Sequence, residues 1–231
     1  MNESLQTPYG YGSPGLAVDR QRVLRNTYWL LALSLVPTVL GAWIGVATGL
    51  FQMMSPGVSM AVFFIGAFGL MFVIEKTKDS AAGVAALLGF TFFMGLMLSR
   101  LIGFVLGSYS NGVSLVMTAF GGTAAVFFAM ASLATVIKRD LSAMGKFLTV
   151  GAVVLFVACI ANFFLQSSAM MLTILVLMLG VFSAFMLYDI KRVIDGGETN
   201  YISATLSIYL DLYNVFQSLL SLLGIFGGDR D

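Results

Sequence analysis

The sequence predicts an all-α integral membrane protein, folded as a compact bundle of seven transmembrane helices. Three observations predict it. Of 231 residues, 59% are apolar and only 10% charged, whereas a soluble domain carries roughly a quarter charged and just under half apolar residues. The mean hydropathy is +0.96, more apolar side chain than one core can enclose. The apolar residues also gather in seven long runs, each near the about 20 residues a helix needs to cross a hydrocarbon layer roughly 30 Å thick.

The runs cover residues 28–50, 57–74, 81–106, 112–137, 147–165, 170–190 and 202–225. This divides the chain into a polar N-terminal tail at 1–26, a seven-helix domain at 27–226 and a short C-terminal tail at 227–231. The tail is rich in Gly, Ser, Pro and Tyr and lacks an apolar stretch, so it reads as flexible and not as a cleavable signal peptide. In the first span, Gly41, Gly45 and Gly49 form a doubled GxxxG pattern that lets a neighbouring helix approach closely, and Pro37 predicts a bend. The fourth span carries Ser114, Thr118, Gly121, Ala125, Ala129 and Ser132 on one small-residue stripe, read as a packing surface. The 14 methionines and 20 phenylalanines read as packing and lipid-facing bulk.

Basic residues predict the orientation. Arg20, Arg22 and Arg25 precede the first span, and Lys76 and Lys78 follow the second. Lys138, Arg139 and Lys146 separate the fourth and fifth, and Lys191 and Arg192 end the sixth. The connectors after spans one, three and five carry no Lys or Arg. The positive-inside rule then places the N-terminus in the cytoplasm and, after seven crossings, the C-terminus on the periplasmic side.

Composition also excludes chemistry. With 0 histidines, no Ser-His-Asp or Cys-His nucleophile and no His-ligated zinc, haem or di-iron centre can be built. The single cysteine, Cys159, excludes internal disulfides and CxxC redox motifs. A net charge of +1 gives no reason to expect nucleic acid.

Three charges fall inside spans, where charge is expensive and usually functional: Arg100, Asp189 and Asp211. In the last span, Ser203, Ser207, Asp211, Asn214, Ser218 and Ser221 recur at helical spacing and share one face. Lipid exposure of such a stripe is excluded on cost, so it faces a cavity or other polar groups. Asp189 lies about 9 Å before the hairpin that starts at Asp195, and Asp211 about 16 Å after Asn200, at 1.5 Å per residue. Tilt and an uneven turn bring the two carboxyls within range of each other. Two carboxylates at one low-dielectric site cannot both ionise cheaply, so the pair reads as a proton-sharing, pH-sensitive latch; the alternative is that each is satisfied by its own Ser, Asn or backbone partners. Arg100 pairs with phospholipid near the far interface or stabilises the bundle, and Glu75 at the edge of the second span is a second accessory charge free to snorkel.

These residues resemble the Bax inhibitor-1 family over nearly the whole chain from Arg25 onward. The resemblance is carried by Tyr188-Asp189, by Gly-Gly-Glu-Thr-Asn-Tyr-Ile at 196–202 and by Ala-Thr-Leu-Ser-Ile-Tyr-Leu-Asp-Leu-Tyr-Asn at 204–214. Arg-Asn-Thr-Tyr at 25–28, Ser-Pro-Gly at 55–57 and Gly-Gly-Thr-Ala-Ala-Val-Phe-Phe at 121–128 are similar to the bacterial branch that modulates the membrane AAA protease FtsH. The resemblance implies a seven-helix fold with the last helix central and a bacterial inner-membrane location. It also implies binding to the FtsH complex, which limits degradation of membrane proteins, with the polar tail engaged by the protease. In other bacterial members a pair of aspartates, matched by Asp189 and Asp211, latches a calcium leak path. The FtsH-modulating branch does not keep both aspartates, whereas this chain does, and no basic latch partner is evident on the second span, which ends in Glu75-Lys76.

The functional expectation is therefore a non-enzymatic regulator of FtsH, with a pH-sensitive calcium leak as the second reading. Calcium is then a transported ion, and no cofactor or resident metal is expected. Partners are FtsH and the lipid bilayer, with the oligomeric state open. An intramembrane aspartyl protease also needs two acids, and Tyr188-Asp189 resembles half of its signature. The second half, GxGD, is missing, because Ile208-Tyr209-Leu210 precedes Asp211, and no catalytic residue is assigned.

Overall fold

The structure, a computed structural model, describes residues 14–229 as eight helices. These are α1 (Pro14–Thr48), α2 (Leu50–Met53), α3 (Pro56–Thr77), α4 (Ala81–Ser108), α5 (Gly112–Val136), α6 (Ser142–Leu165), α7 (Ser168–Ile194) and α8 (Tyr201–Gly227). Seven of them, all but α2, are long and apolar enough to cross a membrane. No strand occurs among the described residues.

Local chemistry sets the ends. Ser55 caps α3 by accepting from the Val58 amide, and Pro56 takes the first turn, where its missing N–H costs nothing. Ser167 caps α7 through the Met170 amide. Asn200 caps α8 through the amides of Ile202 and Ser203.

The first span differs from its sequence reading at both ends. Helix α1 already begins at Pro14, so residues 14–26 are helical where a tail was expected, and 1–13 lie outside the described residues. The helix also continues through Pro37 as one element. Gly49, expected to pack inside a helix interface, instead adopts φ 65° and separates α1 from α2, a left-handed conformation that glycine takes without a steric penalty.

Gly41 and Gly45 do sit in a helix interface. A methyl group at Gly41 would run into the Phe92 carbonyl of α4, and one at Gly45 into the Ser99 side chain. The contact is reciprocal, since a methyl at Gly95 of α4 would meet the Thr38 carbonyl of α1. Backbone-to-backbone approach of this kind is how membrane helices associate without a hydrophobic driving force.

Helix α8 is the axis of the bundle. It packs against α1, α3, α4, α5 and α7, and its buried residues run round the helix, from Ile202, Tyr209 and Leu220 on one side to Asp211, Val215 and Ser218 on another. Of its most apolar stretch 44% is buried, against 6% for α6, which rests mainly on α7. The small-residue stripe of α5, read from the sequence as a helix-packing surface, faces outward and not into this bundle. Ser114, Thr118, Gly121, Ala125, Ala129 and Ser132 are all exposed on the outer surface. The bundle is instead met by Leu115, Ala119, Thr123 and Ala134, since small residues permit close approach without specifying which partner takes it.

Candidate functional site

The polar face of α8 points into the protein along its whole length. None of Ser203, Ser207, Asp211, Asn214, Ser218 and Ser221 is exposed, and Asp211 and Ser218 are buried. Asp211 is 4% exposed, and its carboxyl group lies within hydrogen-bonding reach of that of Asp189 on α7. Among the described residues no Lys or Arg makes an ion pair with either carboxyl.

The donors around this pair are few. Asp211 Oδ2 is buried without a hydrogen-bond donor, and so is Ser218 Oγ without a partner. Between them Asn214 Nδ2 donates to the Leu210 carbonyl at 2.8 Å, within its own helix. Ionised carboxylates only accept hydrogen bonds, so two facing carboxyls bond to each other only when one carries a proton. Each unsatisfied buried polar atom costs about 1–3 kcal/mol, and both fall on one face of one helix, about 10 Å apart at 1.5 Å per residue.

On the opposite face of α8, Tyr209 and Thr205 bond to neighbouring helices. The Tyr209 hydroxyl lies 2.9 Å from Thr38 Oγ1 on α1 and 3.4 Å from the Thr91 carbonyl on α4. Thr38 Oγ1 itself donates to the Ser34 carbonyl at 2.8 Å. Thr205 Oγ1 donates to the Tyr201 carbonyl at 2.7 Å and lies 3.3 Å from the Thr27 carbonyl of α1. The helix is thus anchored on one side and carries the Asp211 carboxyl on the other.

A seven-helix bundle with a central last helix and a carboxyl pair between the last two spans can be compared with known proteins. The profile of the family described as inhibitor of apoptosis-promoting Bax1 matches residues 20–228. The chain belongs to the Bax inhibitor-1 family. It is 38% identical over 212 residues to the "Modulator of FtsH protease YccA" of Escherichia coli K12, covering 92% of this chain and 94% of that protein. It is 40% identical over 217 residues to an uncharacterized protein of Pseudomonas aeruginosa, covering 92% and 95%. It is also 38% identical over 215 residues to an uncharacterized protein of Neisseria meningitidis, covering 92% and 94%.

In this member of the Bax inhibitor-1 family the two accessory charges stand apart from the carboxyl pair. Glu75 is exposed and paired with Lys78 at the surface. Arg100 Nη1 donates to Ser59 Oγ at 2.6 Å and lies 3.4 Å from the Met54 carbonyl, near the start of α3. No group of three or more Cys, Asp or Glu side chains gathers among the described residues in a way that would hold a metal ion.

Sequence reading placed Asn200 in the hairpin but gave it no role. Its Oδ1 caps α8, while its Nδ2 donates to the Lys78 carbonyl at 3.0 Å and to Asp79 Oδ1 at 2.9 Å, across on the α3–α4 turn. Around it, Arg192 pairs with Glu198 at 3.3 Å and Lys191 with Asp195 at 2.6 Å. Gly196 takes φ +80°, and a side chain there would strike the Arg20 guanidinium of α1. The Gly-Gly-Glu-Thr-Asn segment thus locks the hairpin that presents Asp189 to Asp211. The signal in the sequence was the Asn placed one residue before an apolar helical run.

Proposed function

We propose that this protein is a multi-pass regulator of the bacterial inner membrane that binds the membrane AAA protease FtsH and limits its degradation of membrane proteins. One observation carries the reading: similarity to the E. coli modulator of FtsH protease extends over 94% of that protein's length. The positive-inside pattern supports an N-terminus in the cytoplasm, on the same side as the hairpin built around Asn200. The outward α5 stripe, from Ser114 to Ser132, supports docking of a transmembrane helix, because small side chains let a second backbone approach closely in lipid.

The test is affinity purification of the tagged chain from native membranes with mass spectrometry of its partners, alongside turnover of a membrane-protein substrate of FtsH. Co-purified FtsH and slowed turnover are expected. No association, with unchanged turnover on overexpression, defeats the proposal.

A second reading, a proton-sensitive calcium leak, is motivated by the facing carboxyls of Asp189 and Asp211. All ligands along the stripe are oxygens, which suit calcium. Under this reading a proton between the carboxyls holds α7 against α8, and its loss leaves two charges that repel and loosen the pair. Calcium flux into liposomes loaded with purified protein should then change with pH and respond to Asp189→Asn and Asp211→Asn. Equal flux from all three proteins removes the pair from any transport mechanism.

A further inference from the structure

At the end of the bundle away from the basic connectors there is a cavity of about 350 Å³. Its apolar wall includes Phe51 of α2, Phe63 of α3, Met97 of α4 and Phe163 of α6. Four polar side chains also line it: Ser59, Arg100, Tyr213 and Gln217. Arg100 has two protein acceptors, Ser59 Oγ and the Met54 carbonyl, and both are neutral. Among the described residues no carboxylate pairs with it, and no acid lines the cavity. A guanidinium has five N–H donors in a planar fork, so most of its donor capacity is unused. The Tyr213 hydroxyl and the Gln217 amide likewise have no hydrogen-bond partner among the described residues.

Depth narrows the ligand. Arg100 lies eight residues before the end of α4 at Ser108, about 12 Å at 1.5 Å per residue. Its partner Ser59 is in the first turn of α3. A cation here is within snorkelling reach of the headgroup layer and costs several kcal/mol if left uncompensated in hydrocarbon. An anion that also carries an apolar chain satisfies both halves of the cavity.

The geometry points to a binding site for an anionic glycerophospholipid of the leaflet opposite the basic connectors. Its phosphate sits on the Arg100 fork, and an acyl chain lies against Phe63, Met97 and Phe163. Guanidinium matches phosphate through paired N–H donors, with the Tyr213 hydroxyl and Gln217 amide available to its remaining oxygens. A zwitterionic lipid fits less well, because its own ammonium would be brought into a cavity with no acid to receive it. A metal cation is repelled by the same charge. The site is separate from the protease reading and stands or falls without it.

The test is thermal unfolding of the purified full chain in maltoside micelles, titrated separately with dioleoylphosphatidylglycerol, dioleoylphosphatidylcholine, oleate and inorganic phosphate. Phosphatidylglycerol should raise Tm saturably, and phosphatidylcholine should do so far less. In Arg100→Gln the half-saturating concentration should rise about tenfold or more, the loss expected for a charge-assisted hydrogen bond. Arg100→Lys should fall between the two, while Tyr213→Phe and Gln217→Leu each weaken the response several-fold. Equal responses to phosphatidylglycerol in wild type and Arg100→Gln overturn the site, as do equal responses to the two lipids. Inorganic phosphate matching phosphatidylglycerol overturns the lipid in favour of a free anion, and oleate matching it overturns the phosphate. Should Arg100→Gln fail to fold, Arg100→Lys and Tyr213→Phe decide: wild-type titrations from both overturn the proposal.

Discussion

Asn200 gives the sharpest test of how the hairpin holds the carboxyl pair, because its two ends do separable jobs. Its Oδ1 accepts from the amides of Ile202 and Ser203 at 2.9 and 3.1 Å, and its Nδ2 donates to the Lys78 carbonyl and Asp79 Oδ1 at 3.0 and 2.9 Å. Loss of an N-cap costs about 1 kcal/mol. Each donated bond contributes about 0.5–1 kcal/mol here, towards the low end because Asp79 is exposed. Asn200→Ala removes everything and should destabilise the protein by about 2–3 kcal/mol. Asn200→Ser keeps a capping oxygen but is too short to reach the α3–α4 turn, so it should cost about 1–2 kcal/mol. The difference between the variants isolates the cap, and the cost of the serine variant isolates the clasp. Denaturation followed by helical circular dichroism in micelles measures both. Hydrogen exchange at Ile202 and Ser203 should accelerate in the alanine variant and not in the serine variant. If Asn200→Ser matches wild type, the clasp across to Lys78 and Asp79 contributes nothing; if the two variants are equally stable, the cap does not.

Other outcomes follow from the same structure. Gly95→Ala should destabilise by about 2–3 kcal/mol, because its methyl meets the Thr38 backbone and not a flexible side chain; Gly69→Ala, which meets nothing within 4 Å, serves as the control in the same denaturation assay and should be neutral or slightly stabilising. Tyr209→Phe should cost about 1 kcal/mol, since Thr38 retains its bond to Ser34, and a much larger loss of stability would contradict the bonding described. The Asp140 carboxyl is held below its usual range by the Ser142 hydroxyl and amide. Its stabilising contribution is therefore present above the ordinary carboxylate pKa and fades as pH falls through the depressed value, so the stability–pH curve of Asp140→Asn should be flatter in that acidic window. Replacing Ala125 and Ala129 together by Leu fills the outer stripe of α5, and should reduce FtsH recovered on the tagged chain several-fold while leaving the melting temperature near wild type.

Much of the fold was legible because a hydrocarbon layer imposes a one-dimensional rule. Each crossing must be helical, long and apolar, so the seven spans can be read from the composition of successive windows. The interior polar face of α8 was legible for the same reason: Ser203 to Ser221 share a face by spacing alone, and lipid cannot accept that face. What windows could not show was which face of an apolar helix meets which neighbour. The α5 stripe and the Gly41–Gly45 pair look alike in sequence, yet one is outside and the other closes on α4. Small residues permit close approach without specifying a partner.

The sequence by itself determined that this chain spans a membrane seven times, that scarce charge divides into an orienting end and three intramembrane groups, and that histidine chemistry is closed to it. Those are matters of composition and helical period. Tertiary structure alone decided that Asn200 clasps the α3–α4 turn, that Gly41 and Gly45 close on α4, and that Arg100 faces a cavity with Tyr213 and Gln217. Such meetings depend on how the turn through Asn200 and the tilt of each helix bring distant residues to one depth, and side-chain contacts between helices carry no period along the chain.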